Sequence, residues 1–87
     1  MRRDPEEFGE EELELFYIAG RLQEAKKIEA ILDGQGIDYA IQVEHYRAGV
    51  IFASVRAGAF FYALPAEAAR SRETLKRLGY KVQEPLP

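Results

Sequence analysis

The sequence predicts one small α+β domain in which short strands alternate with two helices. The chain has 87 residues, too few for two ordinary domains. Hydrophobic residues make up 47% and charged residues 31%, a balance typical of a folded chain. Hydrophobic spacing also switches repeatedly between a period of two and a period near 3.6, as expected when strands and helices alternate.

The first twelve residues are expected to form a flexible acidic tail. Five of them are glutamates, and like charges at that density repel one another and oppose compact folding. The folded domain is therefore predicted to span 13–84. A short C-terminal tail, which contains two prolines, follows at 85–87.

A strand and a helix are predicted to begin the domain. The run LELFYIA at 13–19 is aromatic and β-branched, is too short for an independent helix, and ends at Gly20. Across 21–35 the apolar residues recur every three or four positions, which predicts a helix. Gly34 and Gly36 can adopt positive φ, so they are expected to end that helix. The apolar stripe of this helix comprises Leu22, Ala25, Ile28, Ile31 and Leu32.

The middle of the chain predicts at least two more strands. Residues 37–45 alternate in polarity, with Tyr39, Ile41 and Val43 on one face. The apolar run at 59–64 predicts a central strand that ends at Pro65. Between them, the apolar piece at 50–55 fits either a paired strand or a hydrophobic loop folded over the sheet.

A second helix and a last strand complete the pattern. Over 66–78, Glu67 lies near the expected helix N-terminus and Lys76 and Arg77 lie near the C-terminus, as the helix dipole favours. The inner stripe of this helix is predicted to be Ala68, Ser71, Leu75 and Leu78. Residues 80–83 then predict a short strand. The order βαββαβ predicts a ferredoxin-like sandwich, an antiparallel sheet with both helices on one face.

That architecture leaves one face of the sheet uncovered, although the strands carry apolar side chains in both directions. Phe16, Ile18, Phe52 and Phe61 are accordingly predicted as interface residues. We expect a homo-oligomer, with a dimer as the first choice and a trimer as the second. Closure of the face by the segment at 50–52 is the alternative.

Four residues near the end of the second predicted strand are candidates for binding a ligand or partner: His45, Tyr46, Arg47 and Arg56. Histidine titrates near neutral pH, and the adjacent Glu44 could orient its ring. Adjacent strand residues point to opposite faces, however, which favours an ordinary solvated strand end. Arg56 could join the basic residues of the second helix in receiving a small anion, or those residues could form only the wet side of an amphipathic helix. No catalytic residue, metal ligand or cofactor is assigned.

Composition argues against several classes of partner and site. The chain has no cysteine, so thiolate metal sites and cysteine nucleophiles are excluded. A formal net charge of -3 gives little reason to expect nucleic acid as a partner. No apolar run is long enough to span a membrane, and the start lacks an apolar signal segment, so a cytoplasmic location is expected.

Both halves of the chain contain short motifs of hydrophobic, alanine and glycine residues: LFYIA at 15–19, EA at 24–25, IEAIL at 28–32, GI at 36–37 and LPAEAAR at 64–70. These motifs resemble those of a family of small prokaryotic signal-transducing proteins, a domain of unknown function related in fold to GlnB/PII. The resemblance implies a GlnB-like fold and a regulatory or binding role. The glycine and basic motifs with which PII proteins bind nucleotide are not evident here, so nucleotide binding is not carried over.

Two functions of different classes follow as expectations. The first is a noncatalytic binding or signal-transducing module, which acts through a sheet face and the loop at 46–58 on a protein partner or a small anionic ligand. The alternative is a small enzyme whose site is assembled between subunits around His45, Tyr46 and Arg47. An enzyme would bring those side chains together in a pocket, whereas a binding module would leave them apart.

Overall fold

The computed structural model describes the backbone of residues 1–48 and 54–85 and the side chains of residues 1–45 and 57–85. Three strands and two α-helices follow one another in these ranges: β1 (Glu14–Ala19), α1 (Leu22–Gly34), β2 (Ala40–Ala48), β3 (Ser54–Ala63) and α2 (Pro65–Arg77). A short 3₁₀ helix at Pro5–Phe8 precedes them. The α+β class is confirmed.

The sheet is antiparallel, with strand order β1-β3-β2. β2 and β3 form a long ribbon in continuous register, from Ala40 opposite Tyr62 to Ala48 opposite Ser54. Of the unsettled stretch at 50–55, the last two residues therefore belong to β3, and 50–53 lie outside the described residues.

Both helices pack on the same side of the sheet around one core cluster. Ala25, Ile28 and Leu32 of α1 are buried there, as are Ala68 and Leu75 of α2. These five residues confirm most of the predicted stripes. The prediction of burial is wrong at one end of each stripe. Leu22, in the first turn of α1, is 71% exposed, and Leu78, beyond the end of α2, is 56% exposed.

Aromatic rings form the centre of the core. The Phe61 ring lies 6.1 Å from the ring of Phe16, 6.2 Å from that of Tyr17 and 5.9 Å from that of Tyr39, between ring centroids. Phe16 and Tyr17 are neighbours in sequence, and they can both point inward because a bulge interrupts the β1–β3 register between Leu15 and Tyr17. The extra residue shifts the alternation of β1 by one position.

The fourth strand of a complete ferredoxin-like fold is not formed by the described residues, so the prediction of a strand at 80–83 is wrong. The Tyr80 amide instead donates to the carbonyl of Leu75 and closes the end of α2, where Gly79 has a φ of 92°. Farther on, the Gln83 amide donates to the carbonyl of Phe16 at 2.9 Å. The segment after α2 thus lies beside β1, but it makes one backbone bond to that strand and not a ladder.

The N-terminal residues have a defined position, where the sequence predicts a flexible tail. The Arg3 amide donates to the carbonyl of Tyr39 at 2.8 Å, and the Tyr39 amide donates to that of Met1 at 3.2 Å. Together they form a parallel bridge just before β2. Asp4 and Glu7 then make a reciprocal capping box around the 3₁₀ helix, which offsets part of the cost of ordering an acidic segment.

Candidate functional site

The face of the sheet away from the helices carries five partly buried apolar side chains, which we call the open-face cluster. Its members are Leu13, Leu15, Ile18, Phe60 and Tyr62. Leu15 lies opposite Tyr62 and Ile18 opposite Phe60 in the β1–β3 pairing, so these four share a face. The cluster is the largest set of apolar side chains that the described helices do not cover.

Two shallow depressions meet within this cluster. The larger, of about 470 Å³, and the smaller, of about 220 Å³, are both lined by Leu13 and Tyr62. Pro5 of the 3₁₀ helix borders the smaller one, and Pro85 borders the larger one. The two terminal segments therefore flank the open-face cluster and leave its centre accessible.

Three glutamates border the larger depression: Glu12, Glu14 and Glu84. Arg72 pairs with Glu14 and Lys76 pairs with Glu84, so the chain itself matches two of these charges. Burial raises the pKa of the Tyr62 hydroxyl, and the nearby negative charge of Glu44 raises it further. Tyr62 is therefore a neutral, amphipathic group at neutral pH, in the middle of apolar side chains.

The predicted interface residues divide into three groups. Ile18 lies on the open face, as predicted. Phe16 and Phe61 are completely buried in the core, so neither can serve as an exposed contact in this fold. The bulge in β1 explains Phe16, since it moves this residue to the helix side and Ile18 to the other. Phe52 lies outside the described residues.

The predicted ligand-binding residues lie on the β2–β3 ribbon. His45 is exposed and pairs in register with Ala57, while Glu44 is exposed on the opposite face. Tyr46 pairs with Arg56, and Arg47 with Val55, as backbone positions; the side chains of Tyr46, Arg47 and Arg56 lie outside those described. Glu44 and His45 therefore lie on opposite faces of the strand, as its alternation predicts.

The basic residues of α2 are occupied by carboxylates. Arg70 pairs with Glu67 at 3.1 Å, Arg77 approaches Glu73 at 3.5 Å, and Lys76 pairs with Glu84. All three pairs are largely exposed. These contacts fit the wet side of an amphipathic helix better than an anion-receiving patch.

A groove of about 640 Å³ lies between the N-terminal segment and the start of α2. Its two arginines face acidic partners: Arg3 lies 3.4 Å from Asp38, and Arg70 contacts Glu67. Opposite charges along the groove are therefore matched within the chain. We find no group of three or more potential metal ligands among the described residues.

Arg72 is a buried residue that the sequence reasoning missed. It is 6% exposed, and its guanidinium donates from Nε to the Gln83 carbonyl at 2.6 Å, from Nη2 to the Leu15 carbonyl at 2.7 Å, and from Nη1 to Glu14 at 3.3 Å. It connects α2, the edge of β1 and the C-terminal segment under one side of the open-face cluster. The sequence does contain a signal for this burial. Arg72 lies four residues after Ala68 and three before Leu75, so it falls on the apolar stripe of the helix.

Comparisons with known proteins give no family: neither the protein-family models, nor the curated proteins, nor the solved structures contain a match to this chain. Among the helices that the structure describes, none combines the length and the hydrophobicity needed to cross a membrane.

Proposed function

We propose that this chain is a noncatalytic binding module of a regulatory kind, which takes a partner protein on the open face of its sheet. The observation that carries the proposal is the open-face cluster itself. The core on the helix side is complete, yet five further apolar side chains lie together on the other side, partly exposed. Clustered exposure of this kind marks interaction surfaces in folded domains.

The chemistry of the border indicates the kind of partner. An apolar centre beside Glu12 and Glu44, carboxylates that make no ion pair among the described residues, suits a segment with apolar anchor residues and basic flanks, because opposite charges steer association and set its orientation. A second copy of this chain, packed face to face, would instead bring these like charges together. We therefore assign the open face to a different protein, not to the homo-oligomer.

Fold and sequence motifs support a regulatory role. The sheet has the order β1-β3-β2, and the C-terminal segment lies beside β1 with one backbone bond to it. A ferredoxin-like sheet contains this strand order, so the order supports the GlnB-like resemblance of the motifs at 15–37 and 64–70 as part of the proposal. The contribution of the loop at 46–58 stays a prediction, since most of it lies outside the described side chains.

The tyrosine side chains with a raised pKa do not favour the enzymatic alternative. The pKa of Tyr17 and that of Tyr39 are raised, mainly by burial and then by the carboxylates that accept their hydrogen bonds, Glu24 for Tyr17 and Asp33 with Glu29 for Tyr39. Both hydroxyls hold their protons more tightly and point at helix α1, away from His45. Their hydrogen bonds to carboxylates of α1 therefore stabilise the fold.

The test uses two synthetic helical peptides that carry leucines on one face and either lysines or glutamates on the other. Each is titrated into isotopically labelled protein, and NMR shifts of the methyl groups of Leu15 and Ile18 are followed. We expect saturable shifts with the lysine peptide, weakened by salt because exposed charges are screened, and none with the glutamate peptide.

Matched variants locate the site. Ile18→Lys should abolish the shifts, whereas Leu22→Lys, which adds the same charge at an exposed leucine on the helix side, should leave them unchanged. Leu15→Lys provides a second open-face variant if the first loses its folded spectrum. Shifts confined to the helix side, or equal binding of both peptides, would overturn the proposal.

A further inference from the structure

A second uncovered apolar surface lies on the helix side of the sheet, at the start of α1. Four large apolar side chains of the described residues are more than half exposed: Met1, Leu22, Val43 and Leu78. Two of them, Leu22 and Val43, line the same depression, of about 170 Å³. Ala59 lies between Ala19 and Val43 in the strand pairing and lines this depression with both. We call Leu22, Val43, Ala19 and Ala59 the helix-side patch.

The position of each large side chain explains its exposure. Val43 is 73% exposed because β2 is an edge strand, and no described strand pairs with it beyond Tyr39. Alternation along β2 turns the backbone groups of Val43 outward, like those of Tyr39, which bond to Met1 and Arg3. Leu22 lies in the first turn of α1. Both side chains are therefore available to a partner.

Three cations without a carboxylate partner lie beside this patch. Arg21 lines the same depression as Leu22, and it also lines a neighbouring depression of about 340 Å³ together with Lys27. Lys26 follows Leu22 by four residues, so it lies next to it on the helix surface. None of the three cations makes an ion pair with a described residue.

The second helix shows the contrast. Every cation of α2 pairs with a carboxylate of the chain: Arg70, Arg72, Lys76 and Arg77. At the start of α1, one carboxylate, Glu24, lines the depression that Arg21 and Lys27 share, and it accepts the Tyr17 hydroxyl. Positive charge therefore exceeds negative charge beside the helix-side patch, and it is not matched within the described chain.

We propose that the helix-side patch binds a segment of another protein that has apolar anchor residues and acidic flanks. The anchors remove Leu22 and Val43 from water, and burial of apolar surface stabilises the complex. The acidic flanks pair with the three cations of α1, which steer the segment and set its orientation. This preference is opposite to that of the open face, where the unpaired carboxylates favour basic flanks.

The inference goes beyond the proposed function, because the two surfaces lie on opposite sides of the sheet. The depressions of one surface share no described lining residue with those of the other. Binding at the open face is read at the methyl groups of Leu15 and Ile18, and binding here is read at those of Leu22 and Val43. Either proposal can therefore fail while the other holds.

The test titrates the peptide with leucines on one face and glutamates on the other into the isotopically labelled full chain. We expect saturable shifts of the methyl groups of Leu22 and Val43, weakened by salt. The lysine peptide should not shift these groups. An absence of shifts at both residues with the glutamate peptide would overturn the proposal.

Charge reversals test the role of the cations. Arg21→Glu should weaken binding of the glutamate peptide roughly tenfold, and Lys27→Glu replaces it if that variant loses its folded spectrum. Arg70→Glu makes the same change in net charge beside the other end of α1, where Arg70 contacts the Gln35 carbonyl. Because salt screens distant charges, this control should change binding by less than about twofold. Equal weakening by both reversals would overturn the proposal.

A further pair of variants tests the apolar contact. Leu22→Asp should abolish the shifts of Val43, whereas Leu78→Asp, at an exposed leucine beyond the end of α2, should leave them unchanged. A second copy of this chain is the other candidate occupant, because residues 10–12 are all glutamates. Shifts of Leu22 and Val43 that grow with protein concentration in the absence of peptide would assign the patch to that copy and overturn the proposal.

Discussion

The two edges of the sheet end in different ways. At β1, a bulge, one backbone bond from Gln83 and the buried guanidinium of Arg72 occupy the outer side of the strand. At β2, the N-terminal residues pair only with Tyr39, and the next five residues form a regular, uncovered edge. One edge is thus completed by side-chain and terminal contacts within the chain, while no described strand pairs with the other beyond Tyr39.

Truncation of Arg72 should have the largest effect on stability. Arg72→Ala removes three donors and leaves two carbonyls and the Glu14 carboxylate without their partner, so we expect a loss of about 4 kcal/mol in the free energy of unfolding. Urea denaturation followed by circular dichroism measures this loss. Arg70→Ala, on the exposed side of the same helix, should cost under about 0.5 kcal/mol. Equal losses for both variants would show that the β1 edge does not depend on the buried guanidinium.

Proline at adjacent positions of β2 tests which backbone groups are free. Gln42→Pro removes an amide that bonds to β3 and should cost about 3 kcal/mol in unfolding free energy. Val43→Pro removes an outward amide and should cost no more than about 1 kcal/mol, because proline is tolerated where the amide faces solvent. Thermal and urea unfolding of the two variants, each measured at the same low protein concentration, give the comparison. A reversed order would mean that the alternation along β2 is opposite to the one described.

Removal of the Tyr39 hydroxyl should have the smallest effect on stability among these three substitutions. This hydroxyl, at the start of the β2 edge, bonds to Asp33 and Glu29 of α1. Tyr39→Phe should cost about 1 kcal/mol at neutral pH. The raised pKa of Tyr39 means that the folded state holds the phenol proton more tightly than the unfolded chain. Its contribution to stability is therefore complete below the ordinary tyrosine pKa of about 10 and is lost as the pH rises above it.

Urea unfolding at successive pH values checks this sign. Wild type should lose stability above about pH 10, and Tyr39→Phe should lose less over the same range. Identical alkaline profiles would show that Tyr39 does not cause the loss of stability. Tyr17 and Tyr62 would then be the remaining candidates, since the pKa of each is also raised.

The local sequence pattern located the helices and the three strands, but it did not show which face of each strand is buried. The period near 3.6 located both helices, and Pro65 marked the start of α2. Strict alternation placed Phe16 with Ile18, and the structure separates them because one extra residue in β1 reverses the alternation. A bulge depends on how two strands pair, so a single strand's sequence does not reveal it.

The candidate site was predicted only in outline. An uncovered apolar sheet face follows from counting helices and apolar strand residues, and Ile18 lies on that face. Leu13 and Leu15 were missed as members of the open-face cluster, because their exposure depends on where the terminal segments lie. Arg72 was missed because an arginine on an apolar stripe has meaning only when its acceptors, Leu15 and Gln83, are brought beside it.

By itself, the sequence determined the class of fold, the order of its three strands and two helices, and the presence of surplus apolar surface, since these depend on local periodicity and composition. Only the tertiary structure decided which aromatic residues are core, how the β1 edge is completed without a fourth strand, and which backbone groups of β2 remain free. Those outcomes depend on contacts between residues far apart in the chain, such as Arg72 with Leu15, and spacing along the chain does not encode such distances.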